Sequence, residues 1–127
     1  MTRFLQICLG GAIGTGCRYL LSGWLLRALG PDFPYGTIAV NVVGSFLLGA
    51  VMTISFTTDS LSPATRLFLT TGVLGGFTTY STFNYETLAY FEEGAVLLGL
   101  VNLCATVLLC LVAGAAGLFA GRFLAGG

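Results

Sequence analysis

The sequence predicts an all-α membrane protein with four transmembrane helices, of which the third is broken near its middle. The 127-residue chain is 56% hydrophobic and 8% charged, a balance typical of membrane proteins. It divides into four apolar stretches, each close to the roughly 20 residues that a membrane helix needs. Within the third stretch, residues 75–85 combine glycines, hydroxyls, an amide and aromatic rings where a membrane helix is usually apolar.

Turn and capping signals separate the four spans. Pro31 and Pro34 interrupt the chain after the first span. Ser62 followed by Pro63 is typical of a helix N-cap and first helical position, and Gly94 follows the end of the third span. We therefore expect a single transmembrane domain over residues 1–127, with spans at about 4–26, 35–56, 63–91 (broken at 75–79) and 95–119.

The broken span indicates a functional site. Inside a bilayer, the free carbonyls and amides of a broken helix must face protein, an ion or a water-filled path. The third span therefore favours a small channel or transporter. An enzyme is not expected, because the chain has no histidine and its hydroxyls have no evident general base. The net charge of zero predicts no nucleic-acid partner; the expected surroundings are a lipid bilayer.

Charge gives only a weak preference for orientation in the membrane. Four spans put Arg3, Arg66 and Arg122 on one side and Arg27 on the other. The positive-inside rule acts through such counts, so insertion in both orientations, and antiparallel pairing of two copies, is compatible with this sequence.

Pairs of small residues four apart allow helix backbones to approach closely. They serve packing within the chain alone, or packing that includes a dimer interface. The pairs are Gly10 and Gly14, Ser45 and Gly49, Ala113 and Gly117, and Gly117 and Gly121.

Two polar stripes run along apolar helices. One face of the second span carries Thr37, Asn41 and Ser45, and one face of the fourth carries Asn102, Thr106 and Cys110. Such stripes line a conduction path or form hydrogen bonds between helices. The side chains are neutral donors without a carboxylate, which favours an anion path over a cation path.

An aromatic pair and one arginine extend this interpretation. Tyr80 and Phe83 share a face with Thr87, and the positive edges of aromatic rings can help to coordinate a small anion. The alternative is core packing. Arg18 would draw an anion towards the donors; its alternatives are a salt bridge with Glu86 or extension to the membrane interface.

Together, three motifs resemble the CrcB/Fluc family of fluoride channels over essentially the whole chain. They are Gly10-Gly11-x-x-Gly14-x-x-x-Arg18, Gly36-Thr37-x-x-x-Asn41-x-x-Gly44-Ser45-Phe46, and the continuous run from Gly75 to Phe83. The resemblance implies a fluoride-selective channel in the bacterial inner membrane that exports cytoplasmic fluoride passively down its electrochemical gradient and gives fluoride resistance. It also implies an antiparallel, dual-topology homodimer with two pores.

The resemblance also assigns roles to residues. It implies that Asn41 is the pore amide, that Tyr80 and Phe83 occupy the two positions of the family's phenylalanine box, and that Arg18 sits in an aqueous vestibule. The family usually has phenylalanine at the position of Tyr80. The other residues expected along the pore are Thr37, Ser45, Ser81, Thr82, Asn102, Thr106 and Cys110.

The resemblance implies one cofactor, a structural sodium ion on the dimer axis. Its expected ligands are the backbone carbonyls of Gly75 and Thr78 from each subunit. Two other classes of protein fit the size of the chain. A small multidrug transporter needs a carboxylate in its first span, which has Arg18 and no acid. A non-conducting assembly subunit would explain the small-residue pairs but neither Asn41 nor the break.

Overall fold

The computed structural model describes residues 1–126, whose regular structure is all helical. The third of the four helices is bent, as the sequence predicted, and consists of several segments. By length and hydropathy the helices Thr2–Leu29, Tyr35–Thr57 and Val96–Leu124 are each able to cross a membrane. The elements are α1 (Thr2–Leu29), α2 (Tyr35–Thr57), α3 (Pro63–Leu67), a π-helical segment (Phe68–Leu74), α4 (Gly75–Phe77), α5 (Tyr80–Glu92) and α6 (Val96–Leu124).

The bent helix starts and stops where its sequence indicates. The Oγ of Ser62 accepts a hydrogen bond from the Thr65 N–H at 3.1 Å, and Pro63 occupies the first turn, where a missing N–H costs nothing. After α5, Gly94 has a φ of 75°, a conformation that strongly favours glycine. The chain therefore turns sharply before α6.

The break falls on threonines rather than on the glycines before them. Gly75 has helical dihedrals, φ −63° and ψ −37°, whereas Thr78 and Thr79 are extended. β-branched residues suit an extended backbone. Gly76 has a packing role instead, because a Cβ there would lie 2.5 Å from the Gly11 carbonyl oxygen of α1. The glycines therefore bring two helices together, and the adjacent threonines open the chain.

Small residues form the two main helix contacts within the chain. Where α2 meets α6, a Cβ on Gly121 would lie 2.8 Å from the Ala50 carbonyl oxygen, and one on Gly117 would overlap the Phe46 carbonyl. Where α1 meets the π-helical segment, a Cβ on Gly10 would lie 2.9 Å from the Phe68 carbonyl oxygen. These glycines are thus used within the protomer, so an interface between copies would draw on other residues.

The two ends of the helical bundle differ in charge. One end, called here the arginine end, carries Arg3, Arg66 and Arg122 together with Asp59. The opposite end, called here the acidic end, carries three side-chain carboxylates and one arginine among the described residues; its charged residues are Arg27, Asp32, Glu92 and Glu93. Between the ends, large apolar side chains are exposed along the helices, which suits a surface that faces lipid.

Candidate ion-conduction site

The central groove gathers most of the residues that the sequence predicted for a site. It has a volume of about 360 Å³ and lies between α2, α5, α6 and the π-helical segment. Its lining combines polar donors, two aromatic rings and residues of the helix break. The predicted site residues that line it are Asn41, Ser45, Gly75, Thr78, Tyr80, Phe83, Thr106 and Cys110.

Asn41 holds the broken backbone through two hydrogen bonds. Its Nδ2 donates to the Thr79 carbonyl oxygen at 3.0 Å, and its Oδ1 accepts from the Thr79 N–H at 2.8 Å. Both residues are buried. One side-chain amide thereby supplies the hydrogen-bond partners that the Thr79 N–H and carbonyl lose when the helix opens. Without such partners, burying these two polar groups in a bilayer would cost free energy. One N–H of the Asn41 amide remains for another acceptor.

The break also releases backbone carbonyls. In a continuous helix the Thr79 N–H would bond to the Gly75 carbonyl, and the Thr82 N–H to the Thr78 carbonyl. Here the Thr79 N–H bonds to Asn41, and the Thr82 N–H donates to the Thr79 Oγ1 at 3.3 Å. The Gly75 and Thr78 carbonyls therefore lose their helical donors, which makes them suitable oxygen ligands for a hard cation.

Arg18 contacts one of these carbonyls. Its Nη1 donates to the Thr78 carbonyl oxygen at 3.4 Å. A carbonyl oxygen has two lone pairs, so this bond leaves one position for a cation. Arg18 lines a separate groove of about 390 Å³ along α1, with Thr15, Tyr19 and Ser22. Of the alternatives considered from the sequence, a pairing of Arg18 with Glu86 is not formed among residues 1–126, where both side chains bond to other groups.

The two aromatic rings of the central groove pack edge to face. The ring centroids of Tyr80 and Phe83 lie 5.8 Å apart with an interplanar angle of 70°. Phe83 is 6% exposed, whereas Tyr80 is 77% exposed. The Phe83 ring therefore lies within the protomer, whereas the Tyr80 side chain projects from the protomer surface.

A line of polar groups continues from the central groove towards the acidic end. Asn102 donates from Nδ2 to the Thr87 Oγ1 at 2.9 Å, and Thr87 donates to the Phe83 carbonyl oxygen at 2.8 Å. Asn102 thus forms the interhelical hydrogen bond considered for it from the sequence, and it lies beyond the lining of the central groove. The Asn102 Oδ1 and the Thr106 Oγ1 are buried without a hydrogen-bond partner in the described part of the chain.

The acidic-end groove is a second cavity of about 350 Å³, and Thr37 lines it instead of the central groove. Thr37 donates from Oγ1 to the Glu86 Oε1 at 2.7 Å. The other carboxylate oxygen of Glu86 is buried and has no partner among residues 1–126. Sequence reasoning did not include Glu86 in the site. The signal that could have identified Glu86 as a site residue was its position, since it is a carboxylate inside a predicted membrane span.

The start of α5 carries two more predicted site residues, and its N-cap is Thr79. Ser81 and Thr82 are exposed on the protomer surface and lie outside the central groove. Thr79, which was not predicted as a site residue, caps α5, because its Oγ1 accepts the Thr82 N–H. The N-terminus of α5 therefore opens at the break beside Tyr80, where its dipole favours negative charge.

Comparison with known proteins identifies the family. The family model described as CrcB-like protein, Camphor Resistance (CrcB), matches residues 5–118. A protein of Anaeromyxobacter sp. (strain K) named "Fluoride-specific ion channel FluC" is 57% identical over 126 residues, which span 99% of this chain and 100% of that protein. Proteins of the same name from Sorangium cellulosum and Geotalea daltonii are 53% and 46% identical, covering 100% and 98% of this chain and the whole of each relative.

The matched region includes all four helices, since it runs from the first turns of α1 to the last turns of α6. It therefore contains the broken third helix, Asn41 and every residue that lines the central groove. The chain belongs to the CrcB family of membrane proteins.

Proposed function

We propose that this protein is a fluoride-specific ion channel that gives its host resistance to fluoride. One observation carries the proposal: 57% identity, over 99% of the chain, to a relative named as a fluoride-specific ion channel. The central groove supports it, because neutral donors and two aromatic rings line the groove beside the N-terminus of α5. The function is that of a channel and not of an enzyme.

Fluoride is small and strongly hydrated, so a channel must replace its water in steps. We assign this role to the free N–H of the Asn41 amide, the Thr106 hydroxyl, the Cys110 thiol and the ring edges of Tyr80 and Phe83. The Ser45 hydroxyl, which donates to the Asn41 backbone carbonyl, would join them by turning from that carbonyl to the ion. The orphan hydroxyl of Thr106 is suited to it, since donating to an anion would satisfy a group that is buried without a partner. No single group may hold the ion too tightly.

The line of polar groups beyond the central groove extends the proposed path. This extension lies between the central groove and the acidic end. It consists of Thr37, Asn102 and Thr87, which accepts the hydrogen bond from Asn102. Arg18 would serve as a vestibule charge that raises the local anion concentration. Ser81 and Thr82, exposed at the start of α5, would meet the path where a second subunit covers them.

Export would be passive. A cell interior that is negative by 100 mV favours exit of a monovalent anion by about 2.3 kcal/mol. Outward fluoride flow through an open pathway therefore needs no ATP. Export of fluoride from the cytoplasm requires a channel in the membrane that encloses it, so we propose that the protein lies in the inner membrane of a bacterium.

We further propose that two copies associate in antiparallel orientation, with two pores. The opposite charge of the two ends supports this arrangement, because antiparallel pairing places the arginine end of one copy beside the acidic end of the other. The exposed polar residues of α5, among them Ser81, Asn84 and Tyr85, suit burial against a partner better than contact with lipid. Cysteine labelling of the C-terminus from both sides of the membrane would test dual orientation.

A structural sodium ion on the dimer axis is part of the same proposal. The carbonyls of Gly75 and Thr78 fit such an ion, since both have lost their helical donors and lie at the negative end of the first half of the bent helix. When bound, the ion would supply positive charge that holds these carbonyls together. Ligands from two copies would give four oxygens.

The deciding experiment is ion efflux from liposomes that contain the purified full-length protein. Potassium flow through valinomycin balances charge, and chloride serves as the control anion. We expect rapid fluoride efflux and little chloride efflux. Equal efflux of both anions would contradict fluoride specificity, and the absence of efflux in folded, reconstituted protein would contradict the channel function.

A further inference from the structure

We propose that a groove at the arginine end binds the headgroup of an anionic phospholipid. This arginine-end groove has a volume of about 370 Å³ and is formed where the start of α1, the end of α2 and the start of the bent helix meet. Its lining combines two arginines with apolar side chains. The lining residues are Arg3, Met52, Phe56, Pro63, Arg66, Leu67 and Thr70.

Arg66 is held in position at the centre of this arrangement. Its Nη1 donates to the Ser55 Oγ at 3.5 Å, and its Cζ lies 4.9 Å from the centroid of the Phe56 ring. The hydrogen bond uses one of the five N–H groups of the guanidinium. The others form a planar donor set suited to a phosphate group, which arginine binds with two parallel hydrogen bonds.

The groove has the position and the sign of charge that an anionic lipid requires. Phe56 is 70% exposed at the end of an apolar helix, so acyl chains would cover it while a headgroup reaches Arg3 and Arg66. Among the described residues, the arginine end also carries Arg122 and a single side-chain carboxylate, that of Asp59. Basic pockets between helices at a membrane surface attract anionic headgroups.

This inference does not depend on fluoride conduction. The arginine-end groove shares only Thr70 with the central groove, and neither arginine has a role in the proposed ion path. Lipid binding and ion efflux are measured separately, so the lipid site and the channel function can each be contradicted without affecting the other.

The test is native mass spectrometry of the detergent-solubilised full chain, titrated with phosphatidylglycerol or phosphatidylcholine of matched acyl chains. We expect the unmodified protein to retain more phosphatidylglycerol than phosphatidylcholine. In the double variant Arg3→Gln and Arg66→Gln, retention should weaken about 30-fold, as expected for the loss of two interfacial arginines. Arg27→Gln, at the acidic end, is the matched control and should retain the lipid normally.

Three results would overturn the proposal. They are equal retention of the two lipids by the unmodified protein, unchanged retention in the double variant, and an equal loss in Arg27→Gln. Inorganic phosphate forms a further arm: its displacement of phosphatidylglycerol at equal concentration would also overturn the proposal, because the groove would then be a site for soluble anions. Circular dichroism checks folding, and the lysine pair Arg3→Lys and Arg66→Lys, which keeps the charge, should retain most of the lipid.

Discussion

The side-chain amide of Asn41 pairs with both backbone polar groups of Thr79, donating to its carbonyl at 3.0 Å and accepting its N–H at 2.8 Å. The two residues are 38 positions apart and lie on different helices. Asn41 therefore stabilises the broken helix as well as lining the central groove. The break is held open from the side by a neighbouring helix.

Replacing Asn41 should destabilise the protein as well as stop conduction. Asn41→Leu leaves the N–H and carbonyl of Thr79 without partners, at about 1–3 kcal/mol for each buried group. We expect a clear drop in the melting temperature of the detergent-solubilised protein and loss of fluoride efflux.

The control for Asn41 is Ser45→Ala, one turn further along the same face. The Ser45 hydroxyl donates to the Asn41 carbonyl of its own helix at 2.6 Å, a bond whose loss leaves the helix intact. Its melting temperature should stay near that of the unmodified protein. A variant Asn41→Leu that melted normally would contradict the role of Asn41 at the break.

Tyr80→Phe should leave stability unchanged and fluoride efflux at least as fast. Tyr80 is 77% exposed, and exposed substitutions usually change stability by less than about 0.5 kcal/mol. The ring edge that we propose for fluoride is retained. Liposome efflux rates compare the two proteins, and a strong decrease in Tyr80→Phe would show instead that the hydroxyl contributes to conduction.

Phe83→Ala provides the contrast within the aromatic pair. Phe83 is 6% exposed, so its truncation removes buried contacts and should cost about 3–5 kcal/mol. Thermal melting would separate this loss of packing from a change confined to efflux.

Thr106→Val should slow fluoride efflux without lowering stability. The Thr106 hydroxyl is buried and has no partner among residues 1–126, and valine keeps its shape. Removing an unsatisfied polar group is neutral or stabilising. Thr87→Val is the matched comparison: it loses the bond from Asn102 and should therefore melt at a lower temperature. Normal efflux in Thr106→Val would remove Thr106 from the proposed path.

Gly117→Ala should destabilise the packing of α2 against α6, whereas Gly114→Ala on the same helix should be tolerated. A Cβ at Gly117 would overlap the Phe46 carbonyl, while one at Gly114 would lie 3.8 Å from the Ser45 carbonyl oxygen, an ordinary contact. Overpacking typically costs about 1–3 kcal/mol. Melting curves measure both variants, and equal melting temperatures would contradict the close approach of the two helices.

Sodium should raise the melting temperature relative to potassium or N-methylglucamine at equal ionic strength. The reason is that an ion bound only by the folded state stabilises that state by mass action. The measurement reads stability and needs no ion flux. Identical melting in the three salts would argue against a sodium site at the Gly75 and Thr78 carbonyls.

Hydropathy and residue spacing determined the four helices, the bend in the third, and the faces that carry Asn41 and Thr106, because these are local properties of a chain in a bilayer. The resemblance of three motifs indicated the family. The central groove brings together Asn41, Tyr80 and Phe83, which the sequence had associated only by type and spacing.

The tertiary structure alone decided which groups satisfy one another. Thr37 bonds to Glu86, Asn102 to Thr87, and Asn41 to the backbone of Thr79. These outcomes depend on contacts between segments far apart in the chain. A buried polar group must find a partner wherever packing provides one, and spacing along a single helix does not specify the neighbouring helix that supplies it.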